Sequence, residues 1–250
     1  MARLRIAGAE VHAELAVFDK DGTLIDFHGV WSGRGRRAVA ALGDAVDAAL
    51  NETLLVTLGI DTVSGRVDGR GILAQLPHQA IQDAVLQTMV AAGFPRADAE
   101  VLLNERFAAV MRAPPRADEL QAIGDLAGLF ANLRAAGVGL SVLTTDDRRA
   151  TLRTLARLDL ADSLSHVVCG DDPLPAKPAP DGILRIAAAA GVALQHTLMV
   201  GDTVADMCAG RAAGSFCVGV TSGAGDAGEL RELADVVVES VHAIRVANPH

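Results

Sequence analysis

The pattern of hydrophobic and polar positions divides the chain into three regions. Residues 15–19, LAVFD, form a short apolar run ended by a polar residue, which is typical of a buried β-strand. Across residues 32–112 the apolar positions recur at helical spacing. Three alanine-rich stretches carry this spacing, at residues 36–59, 77–93 and 96–112. The glycine-containing stretch 60–76 predicts a polar loop, and residues 113–119, APPRADE, predict a linker.

Beyond the linker, predicted strands and helices alternate. Helices are expected at 125–137, 146–160, 179–191 and 203–214, and strands at 138–145, 165–171, 196–202, 215–220 and 234–240. The strands are apolar throughout and do not alternate with polar residues, which indicates burial on both faces. The pattern therefore predicts a parallel α/β sheet with helices on both faces, interrupted after its first strand by a helical insert.

Composition narrows the class of protein. Half of the 250 residues are hydrophobic and 21% are charged, as in ordinary globular proteins. The net charge of −9 argues against a broad nucleic-acid-binding surface, and an anionic substrate would need a locally positive pocket. No run is long and apolar enough to be a membrane span, and the first ten residues lack a signal-peptide segment, so we expect a cytoplasmic protein without membrane partners. The three cysteines form no CxxC pair, which fits a reducing compartment.

Polar side chains cluster at the carboxyl ends of the predicted strands, where α/β sheets bind ligands. This set comprises Asp19, Asp21, Thr144, Thr145, Asp202 and, one helical turn further on, Asp206; Lys177 precedes the helix at 181. Lys177 is one of only two lysines in the chain, beside 20 arginines. Buried carboxylates repel one another, and a divalent cation would offset that repulsion. Oxygen ligands of this kind suit Mg²⁺, which binds carboxylates together with substrate phosphate.

The opening pair of carboxylates suggests covalent chemistry. One of the two acids could attack phosphorus and form an aspartyl-phosphate. The other, two residues on, could protonate the leaving oxygen and later activate water. Lys177 and the Thr144 hydroxyl could bind phosphoryl oxygens where charge develops.

These residues carry a resemblance to a known family. DKDGTL at 19–24, the threonine of SVLTT, KPAPD at 177–181 and GDTVAD at 201–206 resemble, in order and spacing, the four motifs of the haloacid dehalogenase-like (HAD) superfamily. The resemblance spans about residues 15–238. It implies a Rossmann-like parallel α/β core, placed at residues 1–28 and 114–250, with an inserted all-helical cap domain at 29–113. The general form of the motifs looks most like the phosphoglycolate-phosphatase branch.

The resemblance also implies residue roles. Asp19 would be the nucleophile and Asp21 the general acid and base, while Thr144 and Lys177 would hold the phosphoryl group. Mg²⁺ would be bound by Asp19, the backbone carbonyl of Asp21 and Asp202, with Asp206 as a further ligand or a supporting residue.

Other candidate residues rest on weaker signals. Thr145, next to Thr144, is a candidate for substrate binding. Arg66 and Arg70, in the polar loop, could recognise a second anionic group, although an exposed loop explains them as well. His28 could contact substrate or pack at a hinge. Lys20 is expected to point away from its two acidic neighbours and to pack or pair locally, and we assign it no role.

The expected activity is a Mg²⁺-dependent phosphatase that acts on a small phosphorylated metabolite, with phosphoglycolate as the favoured candidate. Asp21 argues against a haloacid dehalogenase or a phosphonatase, because neither of those needs an acid at this position. Two alternatives stay open: a sugar-phosphate mutase of the same fold, and a non-catalytic binding protein with this fold. The sequence does not define an oligomeric state.

Overall fold

A computed structural model describes residues 1–76 and 78–247. It divides the chain into two compact units. The first consists of Met1–Asp26 together with the chain from Ala122 onward, and the second is Phe27–Gln121. No described helix combines the length and apolar character that a membrane span requires.

The first unit is built on a six-stranded, all-parallel sheet. Its strands are β3 (Leu15–Phe18), β4 (Gly139–Leu143), β5 (His166–Val168), β6 (Thr197–Gly201), β7 (Phe216–Val220) and β8 (Val236–Val238). Their order across the sheet is β5-β4-β3-β6-β7-β8. Every residue of β3 and β6 is buried, as their unbroken apolar sequences predict. Because β3 pairs in parallel with both β4 and β6, the residues that follow these three strands emerge at one edge of the sheet.

Five helices connect and flank these strands. They are α7 (Leu126–Ala135), α8 (Arg148–Arg157), α9 (Asp181–Ala190), α10 (Val204–Ala213) and α11 (Ala227–Leu233). The side chain of Asp147 caps α8 by accepting a hydrogen bond from the Ala150 amide. The helix α11 was not predicted, because its seven residues are too few to show a clear helical period. The predicted α/β fold with a parallel core sheet is confirmed.

A second, antiparallel sheet lies outside the sequence prediction. Its order is β2-β1-β9, formed by Ala2–Ile6 (β1), Ala9–Ala13 (β2) and Ile244–Val246 (β9). Ala7 and Gly8 join β1 to β2, and both have positive φ angles, 47° and 88°. Tight two-residue hairpins need such angles, which alanine rarely adopts, and they usually contain Asn-Gly. Because this turn is Ala-Gly, the usual sequence signal of a hairpin was missing.

The second unit is helical, as expected for the insert. It contains α1 (Phe27–Ala40), α2 (Ala48–Thr57), α3 (Ile72–Gln75), α4 (His78–Ala91), α5 (Arg96–Leu102) and α6 (Ala108–Arg112), with a π-helical turn at Leu103–Phe107. An isolated bridge between Ile60 and Val67 pins the base of the polar loop.

The boundaries of this unit differ from the predicted 29–113. Residues 114–121, together with Phe27 and His28, belong to the second unit, where Glu119 pairs with Arg37 at 2.5 Å. Sequence alone marked this segment as a linker because it is rich in proline and charge. Residues 77 and 248–250 of the predicted domains lie outside the described part of the chain.

Two leucines of α8 provide a test of the core packing. Leu155 is fully buried, whereas Leu152 is 44% exposed on the same helix. Leu155→Ala should lower the free energy of unfolding by about 2–5 kcal/mol, because it removes buried methyl groups and leaves a cavity. Leu152→Ala should change it by less than about 0.5 kcal/mol. Urea unfolding followed by circular dichroism measures both, and equal losses would contradict this packing.

Candidate active site

The predicted acids meet at one edge of the core sheet. Asp19 follows β3, Asp202 follows β6, and Asp206 lies in the first turn of α10. All three are buried, and one carboxylate oxygen from each lies within 4.8 Å of the others. The sequence prediction that these residues converge is therefore matched by the geometry.

Lys177 lies among these carboxylates. Its Nζ donates to Asp19 Oδ1 and Asp206 Oδ1, both at 2.5 Å, and to the carbonyl oxygen of Leu143 at 3.1 Å. Its side chain is only 4% exposed. The ammonium therefore offsets part of the repulsion that three buried carboxylates would otherwise suffer.

Burial perturbs the protonation of the acids. It raises the pKa of Asp19 from 3.8 to about 7, against the opposing pull of Lys177, and the Asp206 carboxylate acts in the same direction as burial. Burial, followed by the charges of Asp19 and Asp206, also raises the pKa of Asp202 well above its ordinary value. Burial alone would lower the pKa of Lys177, but its two carboxylate partners raise it.

Asp202 sits in a cradle made by two distant loops. Its Oδ1 accepts from the Thr23 hydroxyl at 3.3 Å, and its Oδ2 accepts from the Ala224 amide at 3.0 Å. Gly22, with φ +89°, and Gly223 pack so closely that a Cβ atom would lie 2.5 and 2.0 Å from Asp202 Oδ2. Sequence analysis missed the 222–225 loop, whose signal was its pair of closely spaced glycines.

Asp206 is held by the start of its own helix. Its Oδ2 accepts from the Thr203 amide at 3.0 Å and from the Thr203 hydroxyl at 2.6 Å, while its Oδ1 accepts from Lys177. This capping box fixes the carboxylate, so both of its oxygens already have protein donors.

The structure corrects the expected orientation of Lys20 but agrees with local pairing. The side chain does not point away from Asp21: it is 4% exposed, and its Nζ lies 2.5 Å from Asp21 Oδ2 and 3.2 Å from Asp146 Oδ2. The chain turns immediately after β3, where the amides of Leu24 and Ile25 donate to the Lys20 carbonyl. The alternation expected of an extended strand therefore no longer applies. Although burial alone would lower the pKa of Lys20, the two carboxylates raise it.

The candidate phosphate-binding threonines differ in environment. Thr144 is buried at the end of β4, where its hydroxyl accepts from the Asp146 amide at 3.2 Å, so the hydroxyl hydrogen stays available to an acceptor. Thr145 is exposed. The substrate-binding role of Thr145 stays a prediction.

The remaining candidates belong to the second unit. Arg66 and Arg70 are exposed side chains of its polar loop, and His28 Nδ1 accepts from the Val67 amide at 3.2 Å. His28 thus anchors the loop that carries the arginines. Substrate contacts of His28, Arg66 and Arg70 stay predictions.

The donor set of the acid cluster fits a hard divalent cation. Asp19, Asp202 and Asp206 offer only oxygen, and their three carboxylates face one ammonium, which leaves negative charge uncompensated when all are ionised. Magnesium binds such carboxylates while keeping several waters. The Asp21 carboxylate is instead engaged by Lys20.

The first unit also has a groove of about 650 Å³ between α7 and β9, lined in part by Asn132, His242 and Arg245. None of the acids of the cluster lines it. The buried carboxylates are therefore the stronger candidate for chemistry.

Fold and site together define an α/β enzyme whose acidic centre lies at the carboxyl ends of parallel strands and is suited to a cation. The chain belongs to the haloacid dehalogenase-like hydrolases, whose family model matches residues 13–214.

Relatives agree with this membership, and solved structures share the fold. A phosphoglycolate phosphatase of Shigella boydii is 30% identical over 236 residues, covering 90% of this chain and 88% of its own. That of Pseudomonas putida is 31% identical over 211 residues, covering 84% and 70%. The structure of a Haemophilus somnus protein provisionally described as a phosphoglycolate phosphatase matches with a TM-score of 0.66 at 16% identity, covering 91% and 94%. A Thermotoga maritima protein provisionally described as a β-phosphoglucomutase matches with a TM-score of 0.65 at 20% identity, covering 90% and 94%.

The raised pKa of Asp19 predicts a pH-dependent stability in metal-free protein. Below the unfolded pKa of 3.8, both states bind the proton. As the pH rises towards 7, the unfolded state releases it while the folded state retains it, so stability falls. Asp19→Asn removes this loss. The free energy of unfolding of the variant should therefore rise relative to that of wild type between about pH 4 and pH 7. The rise should be about 1.4 kcal/mol for each unit by which folding raises the pKa of Asp19.

Urea unfolding in the presence of EDTA at several pH values measures this difference. Asp162→Asn, at an exposed aspartate of the same unit, serves as the control and should follow wild type at every pH. A constant offset between Asp19→Asn and wild type would show that Asp19 titrates normally.

Proposed function

We propose that this hydrolase is a Mg²⁺-dependent phosphatase that cleaves a small organic phosphate monoester through an aspartyl-phosphate at Asp19. The observation that carries the proposal is the buried contact of Lys177 with both Asp19 and Asp206, beside Asp202. Membership in the hydrolase family and the phosphoglycolate phosphatase relatives support the phosphoric monoester as the bond that is broken.

In the first step, an Asp19 carboxylate oxygen attacks phosphorus. The bond between phosphorus and the ester oxygen breaks as the new oxygen–phosphorus bond forms, and Asp21 gives its proton to the departing alcohol. The Thr144 hydroxyl donates to a phosphoryl oxygen, and the Lys177 ammonium, whose three hydrogens already have acceptors, stabilises the negative charge as it shifts among these oxygens. Mg²⁺, held by Asp19 and Asp202, the Asp21 backbone carbonyl and with Asp206 nearby, would supply charge stabilisation for the phosphoryl group.

In the second step, water attacks the same phosphorus atom. Asp21, now ionised, takes a proton from that water, which restores its acid form. The bond to Asp19 breaks, and inorganic phosphate and the free carboxylate result. The raised pKa of Asp19 in metal-free protein indicates that its carboxylate needs a further positive charge to be fully ionised near neutral pH.

Phosphoglycolate is the first substrate to test, because two relatives of which this chain covers more than four-fifths are named phosphoglycolate phosphatases. A sugar-phosphate mutase is the competing activity, and a structural neighbour provisionally bearing that description shares the fold. Release of phosphate from phosphoglycolate, dependent on Mg²⁺ and lost with EDTA, would support the phosphatase. Conversion of a sugar 1-phosphate to the 6-phosphate that depends on a bisphosphate activator would instead establish the mutase.

A cytoplasmic location of the protein stays a prediction.

Asp19→Asn tests the nucleophile. The amide cannot form the acyl phosphate, so turnover and phosphoenzyme formation should both be abolished while the fold persists. Acid-quenched protein incubated with ³²P-labelled substrate reports the phosphoenzyme, and circular dichroism reports the fold. Asp162→Asn is the matched control, and a near-normal rate in the Asp19→Asn variant would remove the assignment.

Asp21→Asn separates proton transfer from metal binding. Because the proposed metal contact of this residue is its backbone oxygen, Mg²⁺ should still raise the melting temperature of the variant. Loss of the general acid and base should lower kcat by roughly 10²- to 10⁴-fold. A decrease below about tenfold, measured as steady-state phosphate release, would contradict the role of Asp21.

A further inference from the structure

Lys20 forms a second buried ionic contact beside the one made by Lys177. Its Nζ contacts Asp21 Oδ2 at 2.5 Å and Asp146 Oδ2 at 3.2 Å, and the side chain is 4% exposed. A buried ammonium is unfavourable unless paired, and this one has two carboxylate partners. The chain contains 20 arginines but only two lysines, and both lysine side chains are buried among acids of this site.

The partner Asp146 is itself fixed. Its Oδ1 accepts from the Asp147 amide at 3.1 Å, its carbonyl accepts from Gly170 at 2.8 Å, and its own amide donates to Thr144 Oγ1 at 3.2 Å. Lys20 therefore links the loop after β3, which carries Asp21, to the loop after β4, which carries Thr144.

This contact involves one oxygen of Asp21. Since Lys20 is the donor to Oδ2, Oδ1 is the oxygen left to exchange a proton with a substrate. When a rigidly anchored ammonium holds one oxygen of a carboxylate, the position of the other oxygen is fixed as well. Misplacing a reacting group by about 1 Å can cost about 10²-fold in rate.

We propose that Lys20 is a positioning residue that fixes the Asp21 carboxylate through Oδ2, so that Oδ1 delivers its proton to the ester oxygen and later accepts one from water. The inference rests on the proposed phosphatase function and deepens it. Lys20 stays an ammonium throughout. The proton moves from Asp21 Oδ1 to the leaving oxygen as the phosphorus–ester bond breaks, and it returns to Oδ1 from the attacking water.

A positioning role makes a prediction that a merely structural role does not. An alkyl phosphate such as phosphoglycolate releases a poor leaving group that needs a proton, whereas p-nitrophenyl phosphate releases a stabilised anion that does not. Lys20→Met, which preserves the length and burial of the side chain, should slow the phosphorylation step with phosphoglycolate by about 10- to 100-fold. The same step with p-nitrophenyl phosphate should change by less than about threefold, because proton donation adds little there.

Rapid-quench measurement of phosphoenzyme formation isolates this step from dephosphorylation, which needs Asp21 with either ester. Lys20→Arg keeps a cation and should recover part of the phosphoglycolate rate. Arg148→Met is the matched control, because it removes a cation from the Asp172 carboxylate of the same unit, outside the acid cluster. In that variant the ratio of the two rates should equal that of wild type.

The outcomes separate the two claims. If wild type forms phosphoenzyme with neither ester, the proposed function is wrong and this inference falls with it. If wild type forms it with both, and Lys20→Met slows both equally or neither, the inference alone is overturned. Should Lys20→Met fail to fold, Asp146→Asn provides the same comparison, since it removes one anchor of Lys20. Asp146→Asn should selectively slow phosphoenzyme formation from phosphoglycolate, but by less than Lys20→Met does. An unchanged ratio of the two rates in this variant would also overturn the inference.

Discussion

The contact of the Lys177 ammonium with Asp19 and Asp206 is the interaction on which the site depends. Three carboxylates from two strand ends and one helix lie together in a buried position, where their charges would otherwise repel strongly. One lysine from the loop before α9 offsets part of that repulsion and also contacts the end of β4 through the Leu143 carbonyl. The parallel register of β3, β4 and β6 is what brings these groups to one edge.

That single positive charge is not sufficient to ionise all the acids. Burial still raises the pKa of Asp19 and of Asp202, so the protein alone does not compensate the full negative charge. A divalent cation would consequently balance the charge of the cluster better. Donors to both oxygens of Asp202 fix the position of this carboxylate. Charge deficit and rigid oxygen donors are the two physical features that favour a cation site here.

The strand-end residues could be predicted from sequence because unbroken apolar runs mark buried parallel strands and end at defined positions. Asp19, Thr144 and Asp202 needed only that periodicity, and Lys177 was added because it precedes a predicted helix and is one of only two lysines in the chain. The cradle of Asp202 could not be predicted, because the Ala224 amide and the glycines beside it reach the carboxylate through the fold. The orientation of Lys20 was predicted wrongly because a turn, closed by backbone hydrogen bonds to its own carbonyl, replaces the extended geometry that the alternation assumes.

The two acids of the DKD segment therefore have different electrostatic partners although they are only two residues apart. Asp19 is deeply buried, is bound by Lys177 and lies among other acids. Asp21 is more exposed, is bound by Lys20 and is not one of the three clustered acids. A nucleophile must stay ionised next to phosphorus, whereas a proton carrier must gain and lose its proton in each cycle. Lys177 favours the ionised form of Asp19, whereas the contact with Lys20 holds one oxygen of the Asp21 carboxylate in place.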